Sequence, residues 1–121
     1  MNKLLSGLSA AVLMAGLSGA VHAADINAGK AVFEKNACAS CHGEDAKTST
    51  SPEYPILAGQ HADYLRHALR AYQRGKEGAP ASSNVRNNAI MAGMAEPLSA
   101  QDIENLAAWL ETLPSPLGTR R

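Results

Sequence analysis

Cys38 and Cys41 stand two residues apart, His42 follows at once, and the 121-residue chain has no other cysteine. Four chemistries compete for that pattern. A disulfide is the first, but closing a two-residue loop gives little chain-entropy stabilisation. A thioredoxin-like redox pair is the second; it needs a βαβ context, and no strand pattern is visible here. Zinc would use both thiolates and His42, yet no second cysteine pair or spaced histidine pair completes four ligands. The fourth reading is Cys-x-x-Cys-His, the c-type haem attachment signature. It gives every residue a task. Each thiol adds across one porphyrin vinyl group, two intervening residues on a helical turn match the vinyl separation, and His42 is delivered directly to the iron. The expected cofactor is therefore one covalently bound haem c, with Cys38 and Cys41 as its tethers and His42 as an axial ligand.

An iron held by His42 has a second axial position. A methionine thioether is a soft ligand that raises the reduction potential. Met91 and Met94 both lie in the segment Asn87-Asn88-Ala89-Ile90-Met91-Ala92-Gly93-Met94, while Met1 and Met14 stand in the first two dozen residues. Either one also suits a gap-filling role in a core, and spacing alone does not separate them. His61 and His67 are the alternatives, giving a bis-histidine haem. His67 lies near the arginine face of its helix and reads as solvated; His61 sits at a helix start, on the apolar side.

The elements that must position these residues are helical. A first helix is expected at about Asn27 to Asn36, capped by Asp25 or Asn27, with Ile26, Gly29 and Phe33 on one side. A second runs from about His61 to Arg74, where Leu65, Ala68, Leu69 and Tyr72 form the apolar face and Gly75 stops it. A third runs from about Ala100 to Leu113. Ser99 caps it, Asp102 stands three residues on, Ile103, Leu106, Ala107 and Leu110 form its stripe, and Pro114 ends it. Gly29 would let the first and last helices approach closely. Between the helices, Gly43 to Gly59 and Gly75 to Pro97 read as loops. Loops of this length are rarely idle in a compact domain.

Composition agrees with a core filled by something other than aromatic packing. Hydrophobic residues make up 45% of the chain but aromatic residues only 4%, namely Phe33, Tyr54, Tyr64, Tyr72 and Trp109. The formal net charge is zero, so general polyanion binding lacks electrostatic support and no nucleic-acid partner is expected. Met1-Asn2-Lys3 is a short basic start, Leu4 to Ala20 is apolar, and Val21-His22-Ala23 offers the small residues read by signal peptidase. Residues 1–23 are expected to be a cleaved secretory signal peptide, with cleavage after Ala24 as the next choice. Residues 24–121 then form one exported, periplasmic haem domain without stable membrane insertion.

Taken together, these features resemble a class I cytochrome c, and within it the bacterial "c-four" group in a single-haem form. The resemblance runs through Cys38-Ala39-Ser40-Cys41-His42-Gly43 and Tyr54-Pro55-Ile56-Leu57-Ala58-Gly59-Gln60. It continues through Tyr64-Leu65, Gly75, Met91-Ala92-Gly93-Met94, Leu98-Ser99-Ala100-Gln101-Asp102-Ile103 and Leu106-Ala107-Ala108-Trp109. It implies an all-α fold of three main helices with long loops wrapping the haem. It implies Met91 as the axial methionine, with Met94 the runner-up. Pro55 corresponds to the proline whose carbonyl orients the proximal imidazole, and Arg86 to a basic residue near the haem propionates. Two departures stand out: there is one haem motif where the group often has two, and Trp109 replaces the usual Tyr or Phe.

A haem with both axial positions filled by protein leaves no position for a substrate, so the resemblance implies electron transfer and not enzymatic turnover. The implied partners are a quinol-oxidising complex or a dehydrogenase as donor and a terminal oxidase or peroxidase as acceptor, met by a monomer. The competing readings are an electron-input haem subunit of a larger periplasmic enzyme and a ligand-binding haem sensor. Arg66, Arg70 and Arg74 recur every four residues and Lys76 follows, whereas Glu96, Asp102, Glu104 and Glu111 make the last helix acidic. One expectation is that this basic stripe steers partners through their association rate; the other is an ordinary solvated helix face.

Overall fold

A computed structural model of the chain describes residues 22–117. The expected signal peptide lies almost wholly outside the described residues. Helix α1 spans Ile26–Lys35, α2 Ala39–His42, α3 Ala62–Lys76, α4 Ala89–Ala95 and α5 Ala100–Thr112, with a single 3₁₀ turn at Ala81–Ser83. There is no strand among the described residues, and none of their helices is long and apolar enough to cross a membrane.

The long helices begin where side chains replace missing backbone partners. The Asp25 carboxylate accepts from the backbone N–H groups of Asn27 and Ala28 at 2.8 and 3.1 Å, opening α1. Ser99 and Asp102 form a reciprocal capping box at the start of α5: the Ser99 hydroxyl accepts from the Asp102 N–H, and the Asp102 carboxylate accepts from the Ser99 N–H, both at 3.0 Å. These bonds hold the Asp102 carboxyl below its ordinary range. Asn88 caps α4 by accepting from the Met91 N–H at 2.9 Å.

α1 crosses α5, and α3 packs against both α4 and α5. Phe33, Ile103 and Leu110 are the largest fully buried side chains, joined by Val32, Leu65, Leu98 and Leu106. Phe33 meets Trp109 with ring centroids 5.0 Å apart at 53°, so the tryptophan closes the outer side of this contact as a packing residue. The α1–α5 crossing depends on Gly29. A Cβ there would overlap the Asn105 carbonyl and stand 2.7 Å from the Trp109 Cβ. Asn105, buried at the same crossing, accepts from the Asp25 N–H at 2.9 Å and so ties the start of α1 to the middle of α5.

Two expectations are corrected. Gly75 does not end α3: the helix runs on to Lys76, and the chain turns at Gly78 with φ +76. Gly75 is glycine because the Arg86 carbonyl lies where a Cβ would be. The segment from Gly75 to Pro97 is also not all loop, since it contains the 3₁₀ turn and α4. With seven residues, two of them methionine and one glycine, α4 carries too short a stripe to announce itself by periodicity.

Candidate haem site

α2 is a single turn, and that turn sets the chemistry. The His42 N–H donates to the Cys38 carbonyl at 3.0 Å and the Gly43 N–H to the Ala39 carbonyl at 2.9 Å. On a helix, residues three and four apart share a face, so Cys38, Cys41 and His42 project together. Both cysteines are free and half-buried. Burial pushes the Cys38 thiol above its ordinary pKa. Among the described residues no three His, Cys, Asp or Glu side chains form a ready metal-binding cluster.

His42 is buried, and its Nδ1 lies 2.9 Å from the Pro55 carbonyl oxygen. A carbonyl can only accept, so Nδ1 carries a proton; in the neutral ring this leaves the lone pair on Nε2. One backbone oxygen thus orients the ring and, in the neutral imidazole, selects the tautomer whose Nε2 is available to ligate. No buried side-chain nitrogen or oxygen among the described residues lacks a partner, so Nε2 opens onto accessible space. The Tyr54 ring lies 6.2 Å from the imidazole at 59°.

The loop that supplies Pro55 is pinned by its backbone. Gly43 leaves α2 at φ +84, ψ 155, and a Cβ there would overlap the Thr48 carbonyl. Asp45 accepts from the Lys47 and Thr48 N–H groups at 3.0 and 2.7 Å and from the Thr48 hydroxyl. These bonds, the Thr48 N–H foremost, lower its carboxyl to about 2. Ala46, wholly buried at φ +55, accepts from both Leu57 and Ala58 N–H groups at 2.8 and 3.0 Å. The Thr50 N–H donates to the Cys41 carbonyl at 3.0 Å, closing the loop back onto the cysteine turn.

The other expected residues lie further along the chain. Met91 and Met94 are both half-buried on α4, three residues apart and so on neighbouring positions of one face. Arg86 donates to the Tyr64 hydroxyl at 3.1 Å, with its guanidinium 5.4 and 5.5 Å from the Tyr64 and Tyr72 ring centroids. The Tyr64 hydrogen bond, with Tyr72 beside it, raises the Arg86 pKa. His67 is exposed and lines a cleft with Tyr64, Asn84 and Arg86. His61 is also exposed, with Nδ1 3.9 Å from Glu111, on the surface and not on an apolar side.

The arginine stripe is spent within the molecule. Arg66 pairs with Asp63 and, at 3.4 Å, with Glu104; Arg70 pairs with Glu104 at 2.5 Å. Arg74 donates to the Ser83 and Asn84 carbonyls at 2.9 and 2.8 Å. Glu104 of α5 thus pairs across the helix contact with two of the three arginines of α3, so part of the basic stripe is spent within the molecule.

Comparison with known proteins settles the family. The cytochrome c sequence profile matches residues 26–114. The chain belongs to the cytochrome c family. Cytochrome c4 of Stutzerimonas stutzeri is 38% identical over 119 residues, covering 98% of this chain and 54% of that protein. Cytochrome c-554(547) of Halothiobacillus neapolitanus is 36% identical over 93 residues, covering 75% of this chain and 99% of that protein. The crystal structure of reduced recombinant cytochrome c4 from Pseudomonas stutzeri superposes with a TM-score of 0.65 at 38% identity, covering 76% of this chain and 47% of that one. This cytochrome therefore spans about half the length of the c4 relatives it matches. The family is one of electron carriers, not of enzymes, and the all-helical fold is the cytochrome c fold. A cytochrome c domain with one Cys-x-x-Cys pair implies covalent haem c. The residues present fit that group: two free thiols on one turn, and beside them a buried imidazole oriented by the Pro55 carbonyl at Nδ1.

Sequence reasoning did not find Gln73. Its side-chain Nε2 donates to the Ala95 and Leu98 carbonyls at 2.9 and 2.8 Å, joining α3 to the end of α4. A glutamine on a mixed helix face carries no signal for such a bond until its partners, more than twenty residues away, are brought beside it.

Proposed function

We propose that this cytochrome is an exported, periplasmic single-haem electron carrier. Cys38 and Cys41 hold the haem by thioether bonds, and His42 ligates the iron through Nε2. Met91 is the second axial ligand, with Met94 the runner-up. When bound, the iron supplies a reversible one-electron couple. The protein's own contribution is positional. The Pro55 carbonyl fixes the imidazole ring and tautomer, and accepting the Nδ1 proton makes Nε2 a better donor. Arg86, held charged between Tyr64 and Tyr72, is placed to meet the propionates. With both axial positions taken by protein ligands, a bound haem would have no position for a small molecule, which suits transfer between protein partners. The donor is a quinol-oxidising complex or a dehydrogenase, and the acceptor a terminal oxidase or peroxidase, each engaged by a monomer.

The observation that carries this reading is the His42–Pro55 hydrogen bond beside two free thiols on one helical turn. Absorption spectra of the wild type, Met91→Ala and Met94→Ala test it. The weak iron–sulfur charge-transfer band should vanish in Met91→Ala and persist in Met94→Ala, and reduced wild-type protein should resist carbon monoxide. The opposite pattern moves the ligand to Met94; a wild type purified without covalent haem overturns the reading.

A further inference from the structure

We infer that Gln73 is the positioning residue of the methionine ligand, setting how firmly Met91 competes for the iron. The inference rests on the reading of Met91 as the axial ligand. It starts from how little else holds α4. A seven-residue helix is far below the length at which helices persist alone in water. Ile90 is 63% exposed, and nothing lies near where a Gly93 Cβ would stand, so one side of α4 is bare. The buried side chains of its own span, Ala92 and Ala95, are methyl groups. What fixes α4 must then be polar and specific.

Two sets of hydrogen bonds from α3 reach this arm of the chain, beside one solvent-exposed ion pair, Lys76–Glu96 at 3.7 Å, of a kind that contributes little. Upstream, Arg74 holds the Ser83 and Asn84 carbonyls, and the Arg86 N–H donates to the Ala71 carbonyl at 3.1 Å. These attach before Asn87 and Asn88 and leave the helix itself free to swing. Downstream, Gln73 grips the helix. Ala95 is the last residue of α4 and Leu98 precedes the cap of α5, so both carbonyls belong to a helix end and the turn beyond it. The last carbonyls of a helix lack intrahelical partners, and both protons of one amide group satisfy two acceptors there. Gln73 thereby links three elements: α3, the end of α4 and the entrance to α5.

The consequence follows by competition. An external ligand that displaces Met91 must let α4 move away, and the two Gln73 bonds oppose that movement. Removing them lowers the cost of the displaced state while leaving the haem tethers and His42 untouched. Losing both bonds leaves the Leu98 carbonyl without its Gln73 donor and the Ala95 carbonyl with only the Leu98 N–H at 3.1 Å, enough in total for about a tenfold change in the competition.

The test is a titration of the ferric, haem-loaded protein with imidazole, read from the iron–sulfur band. Gln73→Leu, which keeps the bulk and loses both donors, should bind imidazole about tenfold more tightly than the wild type. It should also show faster hydrogen exchange at the α4 amides. Gln73→Lys, whose ammonium can donate to both carbonyls, should return the affinity towards the wild-type value. Asp25→Ala removes the α1 cap and serves as the control for general destabilisation: it should lower the melting temperature and leave imidazole affinity unchanged. Wild-type affinity in Gln73→Leu, or equal gains in Gln73→Leu and Asp25→Ala, overturns the inference. Should Gln73→Leu not accumulate with haem, Gln73→Asn, one methylene too short to reach both carbonyls, gives the same comparison and decides in the same way. Failure of the underlying reading is separate, because it shows as an iron–sulfur band retained in Met91→Ala, whatever happens at residue 73.

Discussion

The two sides of the site are built on opposite plans. On the histidine side everything is local. Cys38, Cys41 and His42 occupy one turn, the Thr50 N–H closes onto the Cys41 carbonyl, and Pro55 reaches His42 across thirteen residues. Gly43 and Ala46 hold positive φ so that the loop folds back over that turn. On the methionine side, α4 owes its place to a partner 22 residues away, through the Gln73 bond to Ala95, and it presents an exposed isoleucine and an uncovered glycine to solvent. One side is fixed by backbone geometry that few substitutions can relax; the other is docked, and docking can be undone. On the proposed reading of Met91 as a ligand, loss of a ligand would begin on α4.

The most severe break of this comparison is on the local side. Replacing Cys38 and Cys41 together by alanine should abolish covalent haem: peroxidase staining of a denaturing gel should fall to background while the wild type stains. Next, Gly43→Ala asks a Cβ to occupy a backbone conformation open almost only to glycine and to overlap the Thr48 carbonyl. It should cost about 3 kcal/mol of stability, read as a lower denaturant midpoint with an unchanged slope. The docked side should respond more gently. Asn88→Ala removes the α4 cap at a cost of about 1 kcal/mol; the loss should appear as faster amide exchange confined to α4, with the melting temperature barely moved. Exchange that rose equally in α1 and α5 would erase the distinction between the two sides. The smallest effect is electrostatic. Asp45, lowered to about 2 by its bonds to Thr48 and Lys47, contributes stability that is fully present above the ordinary Asp value of 3.8 and fades as pH falls towards 2. Asp45→Asn should flatten that part of the melting-temperature profile, leaving a shallower acid decline than the wild type.

The same contrast explains what could be read from the amino acids alone. α1, α3 and α5 are long enough to carry a periodic stripe, and α1 and α5 also begin at recognisable caps, so Asp25 and Ser99 mark their starts to within a residue or two. The cysteine turn is legible because its members are sequence neighbours. α4 has a cap in Asn88 but is too short for a stripe, and its two methionines give equal signals at a spacing of three. The arginines of α3 misled for a physical reason: charge counted along a helix says nothing about a carboxylate on another helix, and Glu104 lies across the α3–α5 contact from Arg66 and Arg70. Gly75 misled likewise, since a glycine suits a helix end and a helix interior crowded by a neighbouring carbonyl equally well.

The bond between the Asp25 N–H and Asn105 joins residues eighty positions apart, and the Gly29 crossing beside it is nearly as remote. Contacts of such separation carry a large loop-closure entropy and slow the search for the native state. The cysteine turn, by contrast, closes within five residues. During folding the two thiols can therefore be presented on a formed turn before the first and last helices meet, and a prosthetic group bound at that stage would template the later closure. On the proposed haem reading, this topology favours attachment before enclosure.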